Sequence, residues 1–276
     1  MPSPRLTGPR FLNTVLLGGS TPAKLTAAAR AGFAQVELWQ QDMDGCSQDE
    51  MLRILSDGSL ALTDVQVLLD FDGASDGTRV GKYHEAEQLL VLAGQLGAPA
   101  VLVPANTASD CDAQKVMRDL RWLCRRADQI GLRVAYEGMA WSRFNSTIPS
   151  AWRQIEEVGA GNLDLVVDAF HLFAAGRQLD DLRGVPVERI ALVQLSDAVS
   201  QPLAGQVKQQ ARHQRCLPGQ GIWPLGELVQ ALAQMGYRGP VGLEVFNDDL
   251  KARDPDQVAR EAWQRLDALL RGAGTG

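Results

Sequence analysis

Eight short apolar runs, each followed by a stretch with helical spacing or a loop, constrain this chain more than any other feature. They are FLNTVLL (11–17), QVELW (35–39), LTDVQVLL (62–69), PAVLVPAN (99–106), LRVAYE (132–137), LDLVVD (163–168), IALVQLSD (190–197) and PVGLEVF (240–246). Alternating βα units imply a parallel sheet, and strands buried on both faces read as near-continuous β-branched runs. No composition break marks a linker in the 276 residues. The prediction is therefore an α/β chain closing as a single (β/α)8 TIM barrel over 1–276, a fold that typically takes about 250 residues. Residues 1–10 and 272–276 are expected to be loose ends. An open doubly wound sheet would need a glycine fingerprint after the first strand, and Gly18-Gly19 is not that motif.

Helix signals fit the same scheme. Ser20 or Thr21 precedes Pro22, and the helix stops at Gly32. Ser47 caps a helix over 49–55, Gly97 stops one over 78–96, and others are predicted over 112–130 and 149–158. A short helix near 179–183, one over 224–235 ended by Gly236, and a last one to about 270 complete the set. A long loop after the seventh run carries RHQRCLPGQG (212–221).

A net charge of −6 and a pI near 5.2 argue against a nucleic-acid or anionic-membrane surface, because phosphate contacts need clustered Lys and Arg. Cys46, Cys111, Cys124 and Cys216 form no CxxC pair and read as reduced thiols. FLNTVLL is too short and polar for a secretory leader, and no apolar run approaches about 18 residues. These features predict a cytoplasmic protein acting on a small molecule; a homo-oligomer is left open.

The chemistry collects where the runs end. QVELW passes through Glu37, LRVAYE ends on Glu137, LDLVVD on Asp168, and PVGLE on Glu244, while IALVQ ends on the neutral Gln194. In a barrel these positions share one mouth. So many carboxylates would repel one another without a cation. Three carboxylates and an amide oxygen make a hard donor set suited to one divalent ion, Mn²⁺, Mg²⁺ or Co²⁺ rather than Zn²⁺. A lone acid at a strand exit is more often a cap or an ion-pair partner, and for Glu37 that reading stands level with the functional one. His171, three residues after Asp168, is a candidate for substrate or proton contact. Arg212, His213 and Arg215 in the long loop, Arg143 and Trp141 after the fifth run, and Asn106 after the fourth are candidate substrate contacts. Trp39, Trp141 and Phe246 are candidate pocket walls that exclude water.

At these residues the sequence resembles the sugar isomerase/epimerase superfamily of xylose-isomerase-like barrels, from the first strand to the eighth. The resemblance implies metal ligands at Glu137, Asp168, Gln194 and Glu244 and substrate contacts from His171 and Arg215. It also implies an acid–base pair of Glu137 and Glu244. YEGMAWSR, VDAFH, VQLSDA, RHQRCLPGQG and YRGPVGLEVFND are similar to the bacterial 3-dehydroshikimate dehydratase branch. That branch carries an Arg before an Asp-Phe-Glu-Gly turn, where this chain has Leu69 before Asp70-Phe71-Asp72-Gly73. A guanidinium fork suited to a carboxylate is thereby removed, so a carboxylated substrate requires Arg143, Arg212 or Arg215 in its place.

The expected activity is metal-assisted enolisation of a small hydroxylated carbonyl compound, with epimerisation, isomerisation or dehydration as outcomes. A DNA-repair endonuclease of the same barrel type would need a histidine-rich zinc cluster and a basic face; three histidines and a charge of −6 do not supply them. A non-catalytic sugar-binding barrel has little reason to retain the ligand set.

Overall fold

The computed structural model describes residues 4–203 and 205–272. Parts of both predicted loose ends, 1–3 and 273–276, lie outside the described residues. Arg10 already opens the first strand and Gly272 still closes the last helix.

The strands are β1 (Arg10–Asn13), β2 (Gln35–Trp39), β3 (Ala61–Gln66), β4 (Ala100–Pro104), β5 (Arg133–Glu137), β6 (Leu163–Asp168), β7 (Ile190–Leu195) and β8 (Val241–Leu243). They pair in parallel in sequence order, and β8 closes on β1. The helices are α1 (Thr21–Ala31), α2 (Gln48–Asp57), α3 (Asp76–Leu96), α4 (Ala113–Asp128), α5 (Ile148–Val158), α6 (Ala169–Ala174), α7 (Val207–His213), α8 (Leu225–Met235), α9 (Asp248–Lys251) and α10 (Pro255–Gly272). No helix among the described residues is long and apolar enough to cross a membrane. All four cysteines are buried and unpaired.

Several runs stop being strand earlier than predicted. Asn13 turns its side-chain oxygen back onto Val15 N at 3.1 Å, so the chain enters a 3-10 turn over Thr14–Leu16. β3 stops at Gln66 and β8 at Leu243, which leaves Val67 to Leu69 and Glu244 to Phe246 as mouth segments. Three helices were not expected: α6, α7 and the short α9 that precedes the last helix. α6 starts on Asp168, whose Oδ1 caps Phe170 N at 2.6 Å, and α7 interrupts the long loop. At α6 this local cap, at the residue that ends β6, turns the chain straight from strand into helix.

Alternate residues of each strand face opposite ways. One set, including Leu12, Val36, Val65, Val101, Val134, Leu165 and Val193, packs outward against the helices. The inward set builds the barrel interior in layers. Phe11, Leu102, Ala135, Val166 and Leu192 pack together as an apolar plug. Gly242 belongs to this layer because a Cβ there would sit 2.2 Å from Phe11 O and 2.4 Å from its ring. Two residues further along the strands the interior turns polar: Asn13, Glu37, Asp64, Glu137, Asp168 and Gln194, joined by Glu244 just past β8, are all buried.

Candidate active site

Above the polar layer lies a cavity of about 340 Å³, at the C-terminal ends of the strands. Glu137, His171, Arg215 and Glu244, with Gln66, Arg212 and His213, contribute its polar lining. Trp39, Val67, Leu69, Pro104, Met139, Trp141 and Phe246 supply apolar walls. Trp39 and Phe246 meet edge to face at 5.7 Å, and Trp141 meets the His171 ring at 5.0 Å.

Arg215 is nearly sealed from solvent and is the cation of the floor. Its Nη1 lies 2.9 Å from Asp168 Oδ2 and 3.1 Å from Glu244 Oε2, while Nε donates to Ala211 O. The guanidinium also lies over the Phe170 ring at 4.5 Å and the Phe246 ring at 5.2 Å. Burial disfavours its charge, but Asp168, Glu244 and Glu137 outweigh that and hold its pKa above the ordinary arginine value. The RHQRCLPGQG segment explains how the chain delivers this side chain. Asp197 and Cys216 exchange backbone hydrogen bonds at 2.8 Å each way. The Asp197 carboxylate gathers the N–H groups of Gly219, Gly221 and Trp223. A Cβ at Gly221 would lie 2.3 Å from Asp197 Oδ1, so the loop closes only with glycine there.

His171 accepts Ala140 N–H on Nδ1 at 3.1 Å. The ring proton is therefore on Nε2, which faces Glu137 Oε1 at 3.5 Å and Asp168 Oδ2 at 3.6 Å. Burial first, with Arg215 adding to it against the pull of Asp168, pushes the His171 pKa down to about 4, so the ring is a neutral donor. Burial, and then Glu244 and Asp168, hold the Glu137 carboxyl well above its usual range. Glu244 is raised to about 8, by burial against the opposing pull of Arg215.

Gln194 donates its amide to Glu37 Oε1 at 2.9 Å and Glu244 Oε1 at 3.3 Å, and Asn13 Nδ2 bridges the same two glutamates at 3.1 and 3.0 Å. The Gln194 oxygen is left without a partner, as is Glu137 Oε1. Buried oxygens are rarely left unmatched. Oxygens of Glu137 and Asp168 and a ring nitrogen of His171 fall within 4.8 Å of one another. These two orphaned oxygens, with Asp64 Oδ2 a third in the polar layer, lie among buried carboxylates, and Glu137, Asp168, Gln194 and Glu244 together offer a hard donor set that fits one divalent cation.

The sequence-predicted residues divide by position. Glu137, His171, Arg212, His213, Arg215, Glu244 and Trp141 line the cavity. Asp168, Gln194 and Glu37 lie in the polar layer, and Glu37 is a fully buried neighbour of Asp64 rather than a mouth residue. His213 Nδ1 is held by Asp248 at 2.9 Å. Asn106 and Arg143 are not brought to the cavity. Asn106 spends its side chain on Asp72 O and Ala108 N, and Arg143 reaches Ser109 O from an exposed position. Sequence reasoning missed Asn13, Asp64 and Gln66. Asp64 follows the same pattern as the other strand acids, an acid within an apolar run, and was legible there; Asn13 and Gln66 emitted no such signal.

The family of xylose isomerase-like TIM barrels matches residues 25–269. The chain is similar to the 3-dehydroshikimate dehydratase of Pseudomonas aeruginosa, at 38% identity over 249 residues. That match takes in 88% of this chain and 39% of the relative, so the chain spans about two fifths of that protein's length. Among solved structures, a xylose isomerase-like TIM barrel/4-hydroxyphenylpyruvate dioxygenase fusion protein superposes with a TM-score of 0.89 at 33% identity. It covers 95% of this chain and 42% of that one. A protein crystallised with a bound zinc atom superposes at 0.86 with 18% identity, covering 97% of this chain and 100% of that one.

Proposed function

The chain belongs to the xylose isomerase-like TIM barrel family, and from that premise we propose that it is a divalent-metal-dependent enzyme that enolises a small hydroxylated carbonyl compound. The observation that carries this reading is the pair of orphaned oxygens, Glu137 Oε1 and Gln194 Oε1, set among buried carboxylates beneath an apolar-walled cavity. Glu137, Asp168, Gln194 and Glu244 would hold the ion, which supplies Lewis-acid polarisation of a carbonyl.

The remaining steps belong to the chain's own side chains. Glu137 lines the cavity, so with Oε1 given to the ion its second carboxylate oxygen takes the proton next to the substrate carbonyl. Glu244 is held by Asn13, Gln194 and Arg215 and acts as the fixed carboxylate across the floor. The His171 Nε2–H donates to the substrate oxygen on which charge develops. Trp39, Trp141 and Phe246 keep bulk water from the enolate. Loss of a β-hydroxyl from that enolate gives dehydration, and the relative named 3-dehydroshikimate dehydratase favours this outcome. Return of a proton to the opposite face gives epimerisation instead, and return to the neighbouring carbon gives isomerisation. We place the protein in the cytoplasm on its free thiols.

A metal-supplemented screen against ketoses, hydroxypyruvate and 3-dehydroshikimate tests the reading. Turnover of at least one compound is expected, dependent on Mn²⁺, Mg²⁺ or Co²⁺ and abolished by chelator. Purified protein that binds no divalent ion and turns over none of them would overturn it.

A further inference from the structure

The β3 wall of the cavity holds a group that the proposed chemistry does not use. Asp64 faces the barrel axis beside Glu37, so Gln66, two residues on, faces the same way one layer nearer the mouth. Gln66 is 1% exposed, lines the cavity, and its Nε2 is buried without a partner. Its companions on this side are Trp39, its register partner in β2, with Val67, Leu69 and Pro104. None of their side chains offers an acceptor. Trp39 adds an indole N–H that is buried without a partner, and Trp141, beside His171 after β5, holds another away from this wall. This wall is uncharged and rich in unspent donors.

The two cavity arginines, and His213 with them, lie elsewhere. Arg212, His213 and Arg215 enter from the segment between β7 and β8, and β7 stands four strands from β3 in the closed barrel. Arg215 is committed to Asp168 and Glu244. An unpaired buried amide is a net cost to the fold, and Leu or Met would fill the Gln66 position without it. Active sites are where such costs are retained.

Resting on the enolisation reading, we propose that Gln66 is a specificity-determining residue that hydrogen-bonds a neutral ring hydroxyl of the substrate. The substrate class is a cyclic hydroxy-ketone that presents hydroxyls to β3. Any acid group it carries turns toward Arg212. Leu69, 37% exposed on the same wall, gives a carboxylate nothing to pair with there.

Gln66→Met keeps the volume and removes the amide. Metal-loaded wild-type and Q66M proteins are titrated by calorimetry with 3-dehydroshikimate and with an inosose, a neutral cyclic polyhydroxy ketone, and turnover is followed separately. We expect Kd or KM for the accepted ring ketone to rise about 10-fold to 100-fold in Q66M, with kcat changed less than about 3-fold. The ligand-free melting temperature should stay level or rise, since an unmatched donor has been removed. Unchanged affinity, or a lowered melting temperature, would make Gln66 a structural residue and overturn the proposal. Wild-type protein that binds neither ring ketone also overturns it. Binding without turnover would sink the enolisation reading while leaving Gln66 to be judged on the Kd ratio.

Discussion

Arg215 Nη1 donates to Asp168 Oδ2 at 2.9 Å, with both side chains sealed from solvent. The pair places a fixed cation where the strand-end carboxylates converge. Removing one partner of a buried ion pair leaves the other uncompensated and typically costs about 3–5 kcal/mol. Arg215→Met should therefore lower stability by about that amount in chelator. Added Mn²⁺ should recover part of the loss by meeting Asp168 and Glu244. Urea unfolding with and without the ion measures both effects; a loss that is small, or indifferent to metal, would contradict this electrostatic account.

Glu137→Gln keeps the size of the side chain but removes its charge and its capacity to accept a proton. If Glu137 is the base, turnover should fall about 10²–10⁴-fold, and the protein should hold the divalent ion more weakly. Steady-state kinetics beside metal analysis of dialysed protein check the two effects independently. Full activity with metal bound would remove Glu137 from its proposed role.

Metal loading should stabilise the fold by mass action, by about 2.7 kcal/mol when free ion is 100 times its Kd. For a chain of this size that corresponds to a melting shift on the order of 5–10 °C. Differential scanning calorimetry across an Mn²⁺ series should show a concentration-dependent midpoint. A midpoint that never moves would speak against the site built from Glu137, Asp168, Gln194 and Glu244.

Asp72 gives a pH prediction free of the metal site. It is buried, accepting from Tyr136 Oη at 2.7 Å and Asn106 N at 2.8 Å, and burial raises its pKa from 3.8 to about 7 against those hydrogen bonds. The folded protein then binds this proton more tightly than the unfolded chain, so the contribution is full below about pH 4 and lost as pH rises to about 7. The slope is at most about 1.4 kcal/mol per pH unit. Unfolding free energies of wild type relative to Asp72→Asn should fall across that window and level off above it. A difference that rises with pH would reverse the assignment.

Gly242→Ala would push a methyl into Phe11, 2.2 Å from its carbonyl oxygen and 2.4 Å from its ring. Overpacking of this kind costs about 1–3 kcal/mol, and backbone contact argues for the upper end. Thermal unfolding should register the loss with the far-ultraviolet circular dichroism of the folded state unchanged.

The sequence by itself determined the barrel. Eight apolar runs bounded by helix caps and glycine stops state which segments are strands and in what order they follow, because burial on both faces makes a strand read as a mostly apolar run. It also marked Glu37, Glu137, Asp168, Gln194 and Glu244, since an acid or amide ending such a run is conspicuous. Tertiary structure decided how these groups are used. The stagger of parallel strands around a closed barrel set Glu37 below the floor and bound it to Gln194 and Asn13. The same closure turned the Asn106 side chain onto Asp72 and left Arg143 outside the cavity. Arg215 is 47 residues from Asp168 along the chain, and the Asp197–Cys216 and Gln214–Asn247 bridges on either side of it bring its loop back over the mouth. Gln66 looked like an ordinary polar residue in the middle of LTDVQVLL, and only the structure ends β3 there. Its amide is unmatched because the side chains set beside it, Trp39, Val67, Leu69 and Pro104, offer no acceptor, and that is a property of the closed barrel rather than of any local run of residues.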